Sequence, residues 1–164
     1  MSAVPEIVVR VEQPYIALRK RVTMAELDGL GERFGDVFAW LGAHGLIPAG
    51  APFFKYNVID MMRELEIDVG VPVATVADGD GEFVSGVVPA GKFAVLTHVG
   101  SPAELEGVTG TLLDWAGAQG LRWDKSPGDT GDRWAGRLEI YLTDPGQEPD
   151  KRKWQTQLAF RLAD

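Results

Sequence analysis

At 164 residues, with 45% hydrophobic and 24% charged content, the chain fits one globular domain with a sizeable core. A formal net charge of −8 argues against a nucleic-acid partner. The densest basic runs, Arg19-Lys-Arg21 and Lys151-Arg-Lys153, read as solvated charge. The absence of cysteine excludes disulfide and thiolate chemistry and makes a reducing cytoplasm the expected compartment. No apolar run is long enough for a membrane span, and residues 1–6 carry no leader pattern.

Residues 7–11 and 15–18 predict two strands. Thr23 and Glu26 then satisfy a capping box, and Leu27, Leu30, Phe34, Val37, Phe38 and Leu41 follow at helical spacing. Gly45 suits the left-handed position that ends a helix. Further strands are predicted over 53–58 and 65–76. Asp78-Gly-Asp-Gly81 reads as a hairpin turn joining residues 71–76 to 83–88. After a strand over 92–99, Ser101 and Glu104 form a second capping box with Pro102 at the first helical position. Leu105, Val108, Leu112, Trp115 and Ala116 make a second one-sided helix, closed by Gly120. Strands over 133–142 and 154–162 complete the chain.

Much of this text is written twice. Thr23-Met-Ala-Glu-Leu-Asp-Gly29 recurs as Ser101-Pro-Ala-Glu-Leu-Glu-Gly107, an offset of 101 − 23 = 78. Trp40-Leu-Gly-Ala-His-Gly-Leu46 recurs as Trp115-Ala-Gly-Ala-Gln-Gly-Leu121, and Leu65-Glu-Ile-Asp-Val69 as Leu138-Glu-Ile-Tyr-Leu142, at offsets 115 − 40 = 75 and 138 − 65 = 73. The expected fold is therefore α+β: a tandem pseudo-two-fold β-α-β-β repeat within one domain spanning 1–164, with halves at about 6–76 and 82–162. The seam between such halves is a natural place for a ligand pocket.

Strand alternation in Leu138-Glu-Ile-Tyr-Leu142 predicts that the three aliphatic side chains pack on the helices. Glu139 and Tyr141 then point together to the helix-free face. Glu66 and Asp68 do the same in the first half, so Glu66 becomes the symmetry mate of Glu139 and Asp68 stands opposite Tyr141. Alternation alone also fits a hydrated sheet face. The aromatics Phe54, Tyr56 and Trp134, in the strands after the helices, turn the reading toward a binding surface. A carboxylate walled by aromatics suits a cationic ligand or a general base. His44 and His98 lack a ligand pattern, so no metal is assigned. A calcium loop at 78–82 fails because its twelfth position would be Val87. P-loop, dinucleotide and nucleophile-elbow motifs are absent, and no cofactor is assigned.

The doubled β-α-β-β plan, the Leu138-Glu-Ile-Tyr-Leu142 strand followed by Asp144-Pro145, and the closing Lys153-Trp154 strand resemble the GyrI-like small-molecule-binding domain. This is the effector-binding module of several bacterial multidrug-responsive transcription activators. The resemblance implies an antiparallel sheet with two helices on one face and a cleft between the halves for aromatic, often cationic, compounds. The family's central acidic residue maps onto Glu139 and a neighbouring aromatic onto Tyr141. Tyr56, Phe54, Glu66, Trp134 and Asp68 join the candidate site by alternation and symmetry. The first functional expectation is a stand-alone binding protein, without a DNA-reading segment. A hydrolase of strained cyclopropane-type electrophiles would use Glu139 and Tyr141 as catalytic residues. A gyrase-inhibitor type of protein module is the third reading, and a homodimer or a protein partner is left open.

Overall fold

Strand-forming residues dominate the chain, and the computed structural model, which describes residues 3–60 and 62–164, gathers them into one antiparallel sheet. Its strands are β1 (Glu6–Arg10), β2 (Gln13–Val22), β3 (Phe53–Ile59), β4 (Leu65–Pro72), β5 (Phe83–Val88), β6 (Gly91–Val99), β7 (Lys125–Ser126), β8 (Asp132–Trp134), β9 (Arg137–Tyr141) and β10 (Gln155–Arg161). Their order is β1-β6-β10-β9-β3-β4-β2-β5, with β8 pairing the end of β3 and β7 pairing β8. Three α-helical segments are α1 (Leu27–Leu30), α2 (Phe34–Ala43) and α3 (Leu105–Ala118).

The second capping box forms completely: Glu104 Oε1 accepts from the Ser101 N–H at 2.9 Å, and Ser101 Oγ accepts from the Ala103 N–H at 3.3 Å. In the first, Glu26 Oε1 accepts from the Thr23 N–H at 2.9 Å, but no side-chain cap is made at the start of α1. Gly29 and Gly31 weaken the helix there, and Gly31–Arg33 is a 3₁₀ turn separating α1 from α2. Gly45 and Gly120 have φ of 68° and 71°, the left-handed conformation expected after each helix. Among the described residues no helix is long and apolar enough to cross a membrane.

The strand order is symmetric about the β9–β3 contact, matching β9 with β3, β10 with β4, β6 with β2 and β1 with β5. The first strand of each half lies on the other half, β1 on β6 and β5 on β2. This overturns the expected hairpin between residues 71–76 and 83–88. Both edges of β4 are already taken by β3 and β2, so the chain after the turn crosses to the free edge of β2. Only a local bridge, Asp80 to Phe83, remains at the Gly-rich turn.

Register gives the symmetry residue by residue. With Thr23 and Ser101 equivalent, Leu18 corresponds to Leu96, and their cross-strand partners Val69 and Leu158 correspond in turn. Val69 pairs with Phe54, Leu158 pairs with Glu139, and Phe54 and Glu139 pair with each other. The pseudo-dyad therefore passes between Phe54 and Glu139. Two residues further along each strand, Tyr56 is matched with Tyr141. Glu66 is not the mate of Glu139, because its strand corresponds to β10 rather than β9. The likeness of Leu65–Val69 to Leu138–Leu142 reflects shared alternation, not equivalent position.

Both sheet faces are apolar. On one, Ile16, Leu18, Ile67 and Val69 pack with Val37, Trp40 and Leu41 of α2. Ala94, Leu96, Leu158 and Phe160 pack with Val108 and Leu112 of α3. On the other face Tyr15, Ala17, Phe53, Phe93, Val95, Leu138 and Ala159 form a core joined by Val8 of β1 and Val84 of β5. Those two strands end the strand order on opposite sides, so the sheet curls to bring both into one cluster.

Candidate functional site

The central strands β3 and β9 lie between the helical layers. The helix α2 packs on β4 and β2, and α3 packs on β6. The uncovered strip becomes the floor of a cleft of about 1260 Å³. Leu27, Gly31 and Phe34 wall one side, Ala103 and Leu105 the other, and Phe54, Tyr56, Arg137, Glu139 and Tyr141 lie along the floor. Glu139 and Tyr141 thus face the helices, contrary to the expectation of a helix-free face. Leu138 and Ile140 belong to the core on the opposite side. Alternation shows that a strand has two faces; it does not say which one the helices cover.

Glu139 is held from both halves. The Tyr141 hydroxyl donates to Oε1 at 2.5 Å, and the hydroxyl of its symmetry mate Tyr56 donates to Oε2 at 3.2 Å. Phe54, opposite Glu139, stacks on Phe34 with ring centres 5.3 Å apart and planes at 18°. Tyr141 meets Phe54 edge-on at 5.3 Å and Phe34 at 5.7 Å. Burial pushes the Glu139 carboxyl above its ordinary range, while the two tyrosine hydrogen bonds and the Arg137 charge partly offset this. Burial, and then the adjacent carboxylate, push both tyrosine hydroxyls well up, so they remain protonated donors. Arg137 stands on the same floor with its guanidinium carbon 4.5 Å from the centre of the Phe160 ring, 4.6 Å from Trp134 and 5.8 Å from Tyr56. Asp28, Glu32, Glu106 and Asp144 stand elsewhere in the lining, where Arg137 is the only Lys or Arg among the described residues.

Of the candidates from sequence, Phe54, Tyr56, Glu139 and Tyr141 come together, whereas Glu66, Asp68 and Trp134 do not line this cleft. Asp68 is completely buried on the opposite face. It accepts from Arg19 Nε at 2.8 Å and from the Tyr15 hydroxyl at 2.5 Å. Burial would raise its pKa, but hydrogen bonds from Arg19 and Tyr15 outweigh that and hold it below the ordinary range. Glu66 lies 3.9 Å from Arg21. Trp134 is buried against Trp123 and Phe160, beneath Arg137. Sequence reasoning missed Phe34, whose helical spacing marked it as core, and Arg137, which shares the alternation of Glu139 and Tyr141 and was legible from it. Among the described residues no group of three or more His, Asp or Glu side chains could hold a metal ion.

Concave clefts lined by aromatics with a few polar groups are common sites for small molecules. The family model of the GyrI-like small-molecule-binding domain matches residues 4–163, and the chain belongs to that family. No curated protein matches the sequence. The C-terminal domain of EcmrR is similar at a TM-score of 0.75 and 16% identity, with 98% of each chain covered. In the complex of EcmrR with DNA the TM-score is 0.76, and the present chain spans 57% of that longer chain. SAV2435, solved bound to tetraphenylphosphonium, aligns at a TM-score of 0.66 and 7% identity over 98% of this chain and 94% of its own. A hydrolase from Listeria innocua aligns at 0.60 and 14% identity, over 97% and 91%. At these identities the superpositions show a common fold.

Proposed function

We propose that the cleft captures an aromatic organic cation, with Glu139 as its counter-charge. The observation that carries this reading is a carboxylate on the floor of a large aromatic cavity, bonded only by neutral hydroxyls. Such a carboxylate has lost water without gaining a bonded cation, and a bound ligand cation would supply one. Phe34, Phe54 and Tyr141 add ring faces that attract positive charge, and the four further carboxylates raise the local concentration of cations. The presence of tetraphenylphosphonium in a fold relative supports the choice of ligand. Titration calorimetry with tetraphenylphosphonium and neutral triphenylphosphine oxide tests it. Glu139→Gln is expected to weaken the phosphonium about tenfold, in line with a charge-assisted contact of about 1.5–3 kcal/mol. The neutral compound should change by less than about twofold, well under 1 kcal/mol; equal weakening of both counts against the reading.

Hydrolysis is a second use of the same side chains, favoured by one feature: Glu139 lies between two hydroxyls that stay protonated. A carboxylate with a raised pKa is a stronger base toward water, and Tyr56, whose bond to Glu139 is the longer at 3.2 Å, would turn its hydroxyl from the carboxylate to an opening ring. Incubation with an electrophilic cyclopropane and mass spectrometry distinguishes the two uses. Turnover no greater than in Glu139→Ala leaves capture alone.

A further inference from the structure

Arg137 has no task in simple cation capture, and its surroundings are unusual for an arginine. It lies two positions before Glu139 on the same strand and lines the same cleft. Arg19 pairs with Asp68, and Arg161 pairs with Asp124 and Asp164. The Arg137 guanidinium, by contrast, is packed among the rings of Phe160, Trp134 and Tyr56. Its Nε is buried without a hydrogen-bond acceptor, and none of its nitrogens pairs with any described residue. Glu139 acts on it only through space: the carboxylate bonds the two tyrosine hydroxyls, and the two charges form no ion pair.

A buried N–H without an acceptor is costly, and Nε has lost water and gained nothing, while the terminal nitrogens, unpaired among the described residues, stay open to the cleft. Rings satisfy the faces of the plane. The in-plane N–H fork is left for a planar acceptor such as a carboxylate, which it matches with two parallel hydrogen bonds. The floor therefore offers an anionic point and a cationic fork, about 7 Å apart along the strand by ordinary strand rise. A ligand bearing only positive charge would compensate Glu139 and leave Arg137 as it is.

We propose that the cleft is built for an amphoteric aromatic ligand, whose cationic part lies against Glu139 and whose carboxylate is bound by Arg137. This rests on the capture reading above and narrows its ligand class. It also makes Arg137 a specificity-determining residue.

A xanthylium dye used as its free acid and as its ethyl ester separates the two ideas, because the pair share the cationic ring system and differ only in the carboxylate. The acidic lining alone would favour the ester. With Arg137 acting as proposed, fluorescence anisotropy at neutral pH should show the wild-type protein binding the acid about tenfold more tightly, the scale of one charge-assisted contact. Arg137→Met should abolish that preference, while Glu139→Gln weakens both dyes. Equal or tighter binding of the ester by the wild type overturns the Arg137 assignment, as does a preference that survives in Arg137→Met. Capture by Glu139 still stands in those cases if Glu139→Gln weakens both dyes. Binding of neither dye, or no effect of Glu139→Gln, overturns both. Where Arg137→Met fails to fold, Arg137→Gln supplies the second arm, and an undiminished preference for the acid in it overturns the assignment.

Discussion

Two carboxylates on opposite faces of the same sheet show how environment assigns a role. Asp68 is fully buried and meets a guanidinium and a phenol within 2.8 Å, so its charge is neutralised in place and its pKa is held down. Glu139 opens on the cleft and meets two phenols, which donate but carry no charge, so burial dominates and its pKa is pushed up. The first is a structural pin. The second retains a charge that a ligand can neutralise. Burial is common to both; the presence of a bonded cation separates them.

The largest effect on folding should come from Asp68. Replacing it by Ala leaves the Tyr15 hydroxyl and the Arg19 guanidinium without their acceptor, at a cost of about 3 kcal/mol read as a lowered urea midpoint. Because Arg19 is 44% exposed on its side chain, water recovers part of that loss. Glu139→Gln should move the midpoint by less than about 1 kcal/mol, and upward, since it removes a desolvated charge. If the two substitutions destabilise equally, the contrast fails.

Acid titration sharpens the same contrast. The Asp68 pKa is lowered by folding, so its contribution is complete above the ordinary value of 3.8 and is lost as pH falls through the lower folded value. Asp68→Asn should flatten stability on that acid side. For Glu139 the sign reverses: the folded value lies above the ordinary 4.5, and protonation on acidification favours the folded state. Capture of tetraphenylphosphonium should therefore weaken on the acid side, beginning above pH 4.5. A pH-independent affinity in the wild type would remove Glu139 from the interaction. The smallest effects should come from the tyrosines. Tyr141→Phe removes the 2.5 Å bond and should move the pH midpoint of capture further up, with Tyr56→Phe, at 3.2 Å, moving it less.

The two copies of the repeat diverge at the dyad itself. Matched positions carry Tyr56 and Tyr141, so both halves supply a phenol, yet Phe54 stands where the other half has Glu139. One apolar ring and one carboxylate side by side make a polarised floor that a perfect repeat could not provide.

The second capping box, the amphipathic helices and the left-handed glycines were legible in the amino-acid order, because each depends on neighbours within a turn or two; of the first box only the Glu26 half forms. So was the pairing of Glu139 with Tyr141, two residues apart on one strand. The expected mates Glu66 and Asp68 failed because short strands resemble one another through alternation, and only hydrogen-bond register distinguishes β4 from β9. The face was misjudged because the sheet curls and buries apolar residues on both sides. Local chemistry thus determined the elements, the duplication and the Glu-x-Tyr strand. The tertiary structure decided which face meets the helices, brought Tyr56 to Glu139 across 83 residues, and packed Arg137 among three rings, because long-range register and sheet curvature leave no periodic trace in the chain.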